Sequence, residues 1–255
     1  MAAAPTPGLR MMTGLDELLV QDAVAAGQPR VVVATRLLGA CLDEGGEERA
    51  LAMTVGRRET LLLELRRGAF GERIEAVVSC PRCAETLDLD LATGDLLAAA
   101  LDETAHVEMA LEAEGSSWRA VMRPVTGADQ TAAIGAADPA ALLLRRCVAS
   151  LMRDDGVPWP LEELTAGMAA ALDDAMRRLD PMAEISLDLV CPACRHRFTA
   201  PFDAAGQLFA ELAAEADQLL REVMVIGRAC HWSEGEILGL PRPRRRAYAT
   251  LATVP

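Results

Sequence analysis

Two stretches decide how this chain folds: Ile74-Glu-Ala-Val-Val-Ser-Cys80-Pro-Arg-Cys83 running on to Thr86-Leu-Asp-Leu-Asp-Leu91, and Ile185-Ser-Leu-Asp-Leu-Val-Cys191-Pro-Ala-Cys194 running on to Phe198-Thr-Ala200. In both, apolar and polar residues alternate on either side of a CPxC tetrapeptide, which is the period of a half-buried strand. Each tetrapeptide therefore falls at the tip of a β-hairpin. A two-residue spacer lets one tight turn present two sulfurs, and zinc takes four thiolates in a tetrahedron at about 2.3 Å. Cys80, Cys83, Cys191 and Cys194 read as one split site for a structural Zn2+, since a filled shell leaves no position for a reactive water.

Other uses of these cysteines fit less well. A redox CxxC should open a helix after a strand, whereas both pairs join strand to strand. Two disulfides need an oxidising compartment. Four ordinary thiols would not repeat the flanking pattern. His196, two residues beyond Cys194, is the one imidazole placed to replace a thiolate. Arg82, Arg195 and Arg197 stand close enough in sequence to offset the net negative charge of a four-thiolate site.

From this follows an α+β, mostly helical fold. A split zinc ribbon occupies residues 72–91 and 182–202, with an inserted hairpin and helices in 92–181. An N-terminal helical segment covers 1–71 and a C-terminal one 203–255, all in one compact unit. Helices are expected from Thr13 to Ala26, and through Glu59 to Arg67 after the turn Asp43-Glu-Gly-Gly46. Arg30 to Leu42, with its β-branched start, reads as either helix or strand. Thr93-Gly-Asp95 caps a short Leu/Ala-rich helix. Strands are expected at His106 to Glu112 and Trp118 to Arg123, a small helix after Thr126-Gly-Ala-Asp129, and longer helices from Asp138 to Met152 and Leu161 to Leu179. The longest element is a C-terminal amphipathic helix from Asp203 to His231, and Ser233-Glu-Gly-Glu236 is a capping box for a short one after it.

The chain has 255 residues, a net charge of −13 and no lysine among its 25 basic residues. Absence of lysine removes Schiff-base and phosphate-loop chemistry. The acidity argues against nucleic acid as a partner. No window approaches the run of about 18 apolar residues of a membrane span, and the opening Met1 to Arg10 lacks the pattern of a signal peptide. A cytoplasmic protein with reduced or metal-bound cysteines is expected. No GxSxG, HExxH or Gly-rich phosphate loop is present, so the expectation is a protein that is not an enzyme. The one dense basic cluster, Arg242 to Arg246, keeps a zinc-ribbon adaptor for nucleic acid as the alternative, against simple pairing with the chain's own carboxylates.

The hairpin CPxC, the insertion, Leu187-Asp-Leu-Val-Cys-Pro-Ala-Cys194 with Phe198-Thr-Ala-Pro-Phe-Asp203, Leu219-Leu-Arg-Glu222, and His231-Trp-Ser-Glu-Gly-Glu-Ile-Leu-Gly-Leu-Pro-Arg242 with Arg245, Arg246 and Tyr248 together resemble the T-even phage baseplate hub assembly chaperone family, in the form associated with contractile injection systems. The likeness runs from about residue 30, and Trp232 to Tyr248 is its most distinctive part. It implies a non-enzymatic protein that either helps to assemble a baseplate hub or stays incorporated in the assembled particle, with hub and spike proteins as partners. Trp232, Glu236, Ile237, Leu238, Pro241, Arg242 and Arg245 carry over as its partner-binding or fold signature.

Overall fold

A computed structural model describes residues 8–97 and 105–253. The chain forms two compact units, one from Met1–Ala50, Thr60–Leu97 and Ser186–Pro255, the other from Leu51–Glu59 and Ala98–Ile185.

The first unit opens with α1 (Gly14–Ala25). Asp16 accepts hydrogen bonds from the N–H and hydroxyl of Thr13, each 2.7 Å, and a two-pronged contact from Arg10 at 2.7 and 2.9 Å. These satisfy donors that a helix start leaves without partners. Pro29 then starts α2 (Arg30–Cys41), which settles the ambiguous stretch as helix. Burial of Val33, Ala34, Leu37, Leu38 and Cys41 against α1 and the later α9 outweighs the weak helix propensity of its valines. Where one helix was expected to run to Arg67 there are two, α3 (Gly46–Ala52) and α4 (Val55–Phe70). Thr54 separates them in an isolated bridge to Thr126, so the break comes from a distant partner and not from a local breaker.

The first hairpin is β1 (Arg73–Ser79) paired antiparallel with β2 (Thr86–Ala92), in a register that sets Ser79 opposite Thr86. Then α5 (Thr93–Leu96) follows; the rest of the expected Leu/Ala-rich helix lies outside the described residues.

In the second unit β3 (Val107–Ala113), β4 (Ser116–Met122) and β5 (Val148–Arg153) form one antiparallel sheet in that order. Between β4 and β5 lie α6 (Gly127–Ala132) and α7 (Pro139–Cys147). The expected helix from Asp138 to Met152 is thus corrected: it stops at Cys147, and its last turns are strand. Val148 and Leu151 are buried in the sheet's core, and pairing with β4 decides what local pattern left helical. The helix α8 (Ala166–Leu179) starts at its N-cap Thr165, after a 3-10 turn at Leu161–Glu163, and so is shorter than expected. It packs Met168, Leu172 and Ala175 on the sheet beside Trp118, which meets Trp159 edge to face at 5.5 Å.

Back in the first unit, β6 (Ile185–Val190) pairs with β7 (Arg197–Phe202). The expected single helix from Asp203 is two, α9 (Ala204–Ala214) and α10 (Ala216–Cys230), with Glu215 at φ −107° and ψ 14° between them. His231, in the left-handed region at φ 55°, caps α10. The chain then returns through α11 (Glu234–Leu238) and α12 (Arg242–Ala252), both packed on α10.

One helix glycine gives a sharp test of the second unit. A Cβ on Gly56 would lie 1.9 Å from a carboxylate oxygen of Asp180 and 2.8 Å from the Cβ of Met182, while Asp180, nearly fully buried, accepts a hydrogen bond from the Gly56 N–H at 2.9 Å. Gly56→Ala should destabilise by about 1–3 kcal/mol, as overpacking does, instead of bringing the gain of about 1 kcal/mol that alanine gives in an open helix. Chemical denaturation of the two proteins reads the sign.

Candidate metal centre

The hairpin tips bring Cys80, Cys83, Cys191 and Cys194 together, with all four sulfurs within 4.8 Å of one another. Cys83 Sγ lies 3.6 Å from Cys191 Sγ, and Cys80 Sγ 3.7 Å from Cys194 Sγ. A tetrahedral ion with bonds of about 2.3 Å to sulfur requires sulfurs about 3.8 Å apart. The donor set and its spacing thus fit a four-coordinate metal ion. His196 is not a member of the cluster; its ring stacks on Phe198 at 6.1 Å.

Both tips are built alike. The Ala84 N–H donates to the Cys80 carbonyl at 2.9 Å and the Cys80 N–H to Glu85 at 2.8 Å; Arg195 donates to Cys191 at 3.0 Å and Cys191 to His196 at 2.9 Å. Each turn closes through a residue in the left-handed region, Ala84 at φ 59° and Arg195 at φ 58°. That conformation costs a side-chain-bearing residue about 1 kcal/mol, so its recurrence at both tips marks a geometry the site imposes. Sequence gave no sign of it, because glycine, the usual occupant, is absent from both turns. Beneath the sulfurs, Leu87 forms a small core with buried Cys80 and Cys191, and Leu89, Cys194 and Phe198 pack against it.

The sulfurs do not ionise alike. Burial opposes the Cys80 thiolate, but N–H groups of Arg82 and Cys83 and hydrogen bonds from Cys83 and Cys191 outweigh it and bring its pKa down to about 7. Without an ion, the Glu85 N–H favours the Cys83 thiolate, yet sharing protons with Cys194, Cys191 and Cys80, together with desolvation, pushes that thiol up to about 12; a bound dication displaces these protons and leaves thiolates. Backbone N–H groups aimed at sulfur also supply the positive potential such a charge needs, while Arg82, Arg195 and Arg197 are exposed.

The tail signature divides between interior and surface. Ile237, Leu238, Arg242 and Arg245 are buried, while Trp232, Glu236 and Pro241 reach solvent to differing degrees. The two arginines enter an ion cluster that sequence reasoning did not assemble. Glu17 accepts from Arg242 and from Arg245, each at 2.8 Å, and Glu222 accepts from Arg245 at 2.7 Å. Glu215 accepts from Arg242 at 2.8 Å and from Arg246. The Arg242 guanidinium also lies 4.3 Å from the centre of the Phe70 ring. Trp232 meets Tyr248 edge to face at 5.0 Å, and Glu236 closes the capping box with Ser233.

A protein-family model described as T4 bacteriophage base plate protein matches residues 9–210. Neither a curated protein nor a solved structure matches the chain. The match starts earlier than the resemblance read from the sequence and ends before Trp232, so the tail signature lies beyond it.

Removing one acid from the ion cluster tests its weight. Glu17→Gln leaves Arg242 and Arg245 short of charge at full burial and should cost about 3–5 kcal/mol, read as a drop in denaturation midpoint; a change below about 1 kcal/mol would contradict the cluster. Acid should act in the same direction. Although burial opposes ionisation at both Asp16 and Glu215, their arginine partners hold both pKa values below the usual carboxylate range. Their contribution is complete above the unfolded values and fades as pH falls through the lowered folded ones.

Proposed function

Because the chain belongs to the T4 bacteriophage base plate protein family, we propose that it is a non-enzymatic structural or assembly protein of the baseplate hub in a contractile, phage-tail-like injection system, held in shape by a structural zinc ion. The observation that carries this reading beyond the family is the saturated four-sulfur cluster at the facing hairpin tips. Four thiolates on one ion leave no coordination position for substrate or water, which suits a joint and not a reaction centre. Zinc is the reading for the ion because tetrahedral thiolate sites select it and it has no redox chemistry of its own. The proposed partners are hub and spike proteins, and the particle forms in the cytoplasm where the thiols stay reduced. In this reading Trp232, Glu236 and Pro241, which reach solvent, are the tail residues that meet a partner, and exposed Leu220 and Met224 on α10 with Leu251 on α12 add apolar surface. Among the described residues no helix is long and apolar enough to cross a membrane. The nucleic-acid alternative loses its main support, since Arg242, Arg245 and Arg246 are paired with the chain's own glutamates.

Two measurements test the reading. The purified protein should carry one zinc per chain, and stripping it with a strong chelator should lower Tm by roughly 10 °C, the shift that about 3 kcal/mol produces in a chain of this size. A protein isolated without metal, and indifferent to chelator, would remove the zinc from the proposal. Co-expression with baseplate hub and spike proteins from the same source should yield a complex by affinity capture. Failure to capture any baseplate component would refute the assembly role.

A further inference from the structure

The four sulfurs are not equally placed. Cys83 is exposed and Cys194 half-exposed, whereas Cys80 and Cys191 are buried. Two of the sulfur contacts cross between the hairpins and join one of each kind: exposed Cys83 to buried Cys191 at 3.6 Å, and half-exposed Cys194 to buried Cys80 at 3.7 Å. An oxidant from solvent meets an outer sulfur first, and a buried sulfur of the opposite hairpin lies within contact distance to resolve the product.

We propose that this centre is a modification site for peroxide-class oxidants, at which Cys83 pairs with Cys191 and Cys194 with Cys80, so that two disulfides replace the metal ion as the link between the hairpins. In each pair the outer thiolate attacks peroxide, the O–O bond breaks, and a sulfenic acid and hydroxide form. The inner thiolate then attacks the sulfenic sulfur, forming the S–S bond and expelling a second hydroxide. Two protons per pair convert these to water, so two peroxides oxidise four thiolates to two disulfides and the ion leaves with its charge unchanged. Bond formation draws the sulfurs of each pair to about 2.05 Å, a movement that departure of the ion permits. Of the other cysteines, Cys41 and Cys147 are fully buried and closed to a solvent oxidant, while Cys230 is half-exposed on α10. The outcome differs from that of a redox CxxC. A disulfide within each CPxC would cut the hairpins loose, whereas disulfides across them keep residues 108 and 114 positions apart joined in either redox state.

Loss of the ion rests on the metal reading of the previous section; the pairing rests on the sulfur geometry alone. Both zinc-loaded and chelator-stripped full-length protein are treated with hydrogen peroxide. Metal release is followed with a colorimetric chelator, and linkages are mapped by mass spectrometry after non-reducing digestion. Trypsin cuts between Arg82 and Cys83, which places Cys80 and Cys83 on different peptides, and fragmentation separates Cys191 from Cys194. We expect one zinc released per two disulfides, and the links Cys83 to Cys191 and Cys80 to Cys194 in excess over all other pairings. Links within each CPxC, or oxidation to sulfinic acid without links, overturn the proposal. As a second reading, Cys80→Ser/Cys194→Ser should still form the one remaining disulfide under peroxide. Should that variant not fold, the wild-type map decides. Protein that holds no zinc yet gives cross-hairpin links defeats the metal reading and leaves the pairing standing; protein that holds zinc and links within its hairpins does the reverse.

Discussion

Convergence of four cysteine sulfurs from two distant hairpins is the constraint on which the rest of the first unit depends. A two-stranded hairpin is at best marginally stable alone, and among the described residues neither pair of strands joins a larger sheet. What holds the tips together is the sulfur cluster and a small core around Leu87, with Phe198 and Leu89 against it. Joining Cys83 to Cys191 closes a loop of about a hundred residues. The entropy of that closure grows only slowly with length, so a strong local link tolerates a large intervening segment. That segment contains residues 98–185, most of the second unit, which has its own sheet, its own apolar core and its own helix caps at Thr126, Asp138 and Thr165. An independently packed insertion asks little of the joint except that its two ends stay together.

A second constraint sits elsewhere in the same unit. Glu17 and Arg245 are fully buried, and the chain accepts that desolvation by pairing every charge: Glu17 with two arginines, Arg245 with two glutamates. Such a cluster is weak evidence for stability, because apolar residues of equal volume often do as well, but breaking one member is costly. Its geometric effect is definite: α1, α10 and α12 can close on one another only where the charges match. Arginine suits this because its planar fork bonds to two carboxylates at once. Glu17 of α1 thereby points inward, as Asp16 does, while Asp22 stays exposed; Leu15 of the same helix is more than half exposed, a partial departure from the usual amphipathic pattern.

Those two constraints differ in how far the sequence reveals them. The CPxC pairs and their alternating flanks were legible because strand periodicity and ligand spacing are local. Helix starts at Thr13, Thr126, Asp203 and Ser233 were legible for the same reason, since a cap and its donor lie within three residues. Strand β5 was not: Leu142, Leu143 and Leu144 carry a helical pattern up to it, and its state is fixed by Trp118 to Met122 on β4. Nor was the break at Glu215, where no glycine or proline interrupts the helical period and the carboxylate is engaged by Arg242 and Arg246. The arginine cluster was legible only in part, since pairing with the chain's own carboxylates was one of its two readings but the partners could not be named. Four arginines in five positions look like a surface, and only the positions of Glu17, Glu215 and Glu222, none near them in sequence, show that Arg242 and Arg245 point inward.

Membership in a baseplate family, two packed units and a four-sulfur cluster support the proposed component built for position and contact. In this account the metal is a fastener, and its value lies in fixing where two strands meet. X-ray absorption at the zinc edge of the purified protein tests that claim most directly. The account predicts a shell of four sulfurs at about 2.3 Å with no nitrogen or oxygen neighbour. A shell with an oxygen or nitrogen ligand, or with only two sulfurs, would contradict it.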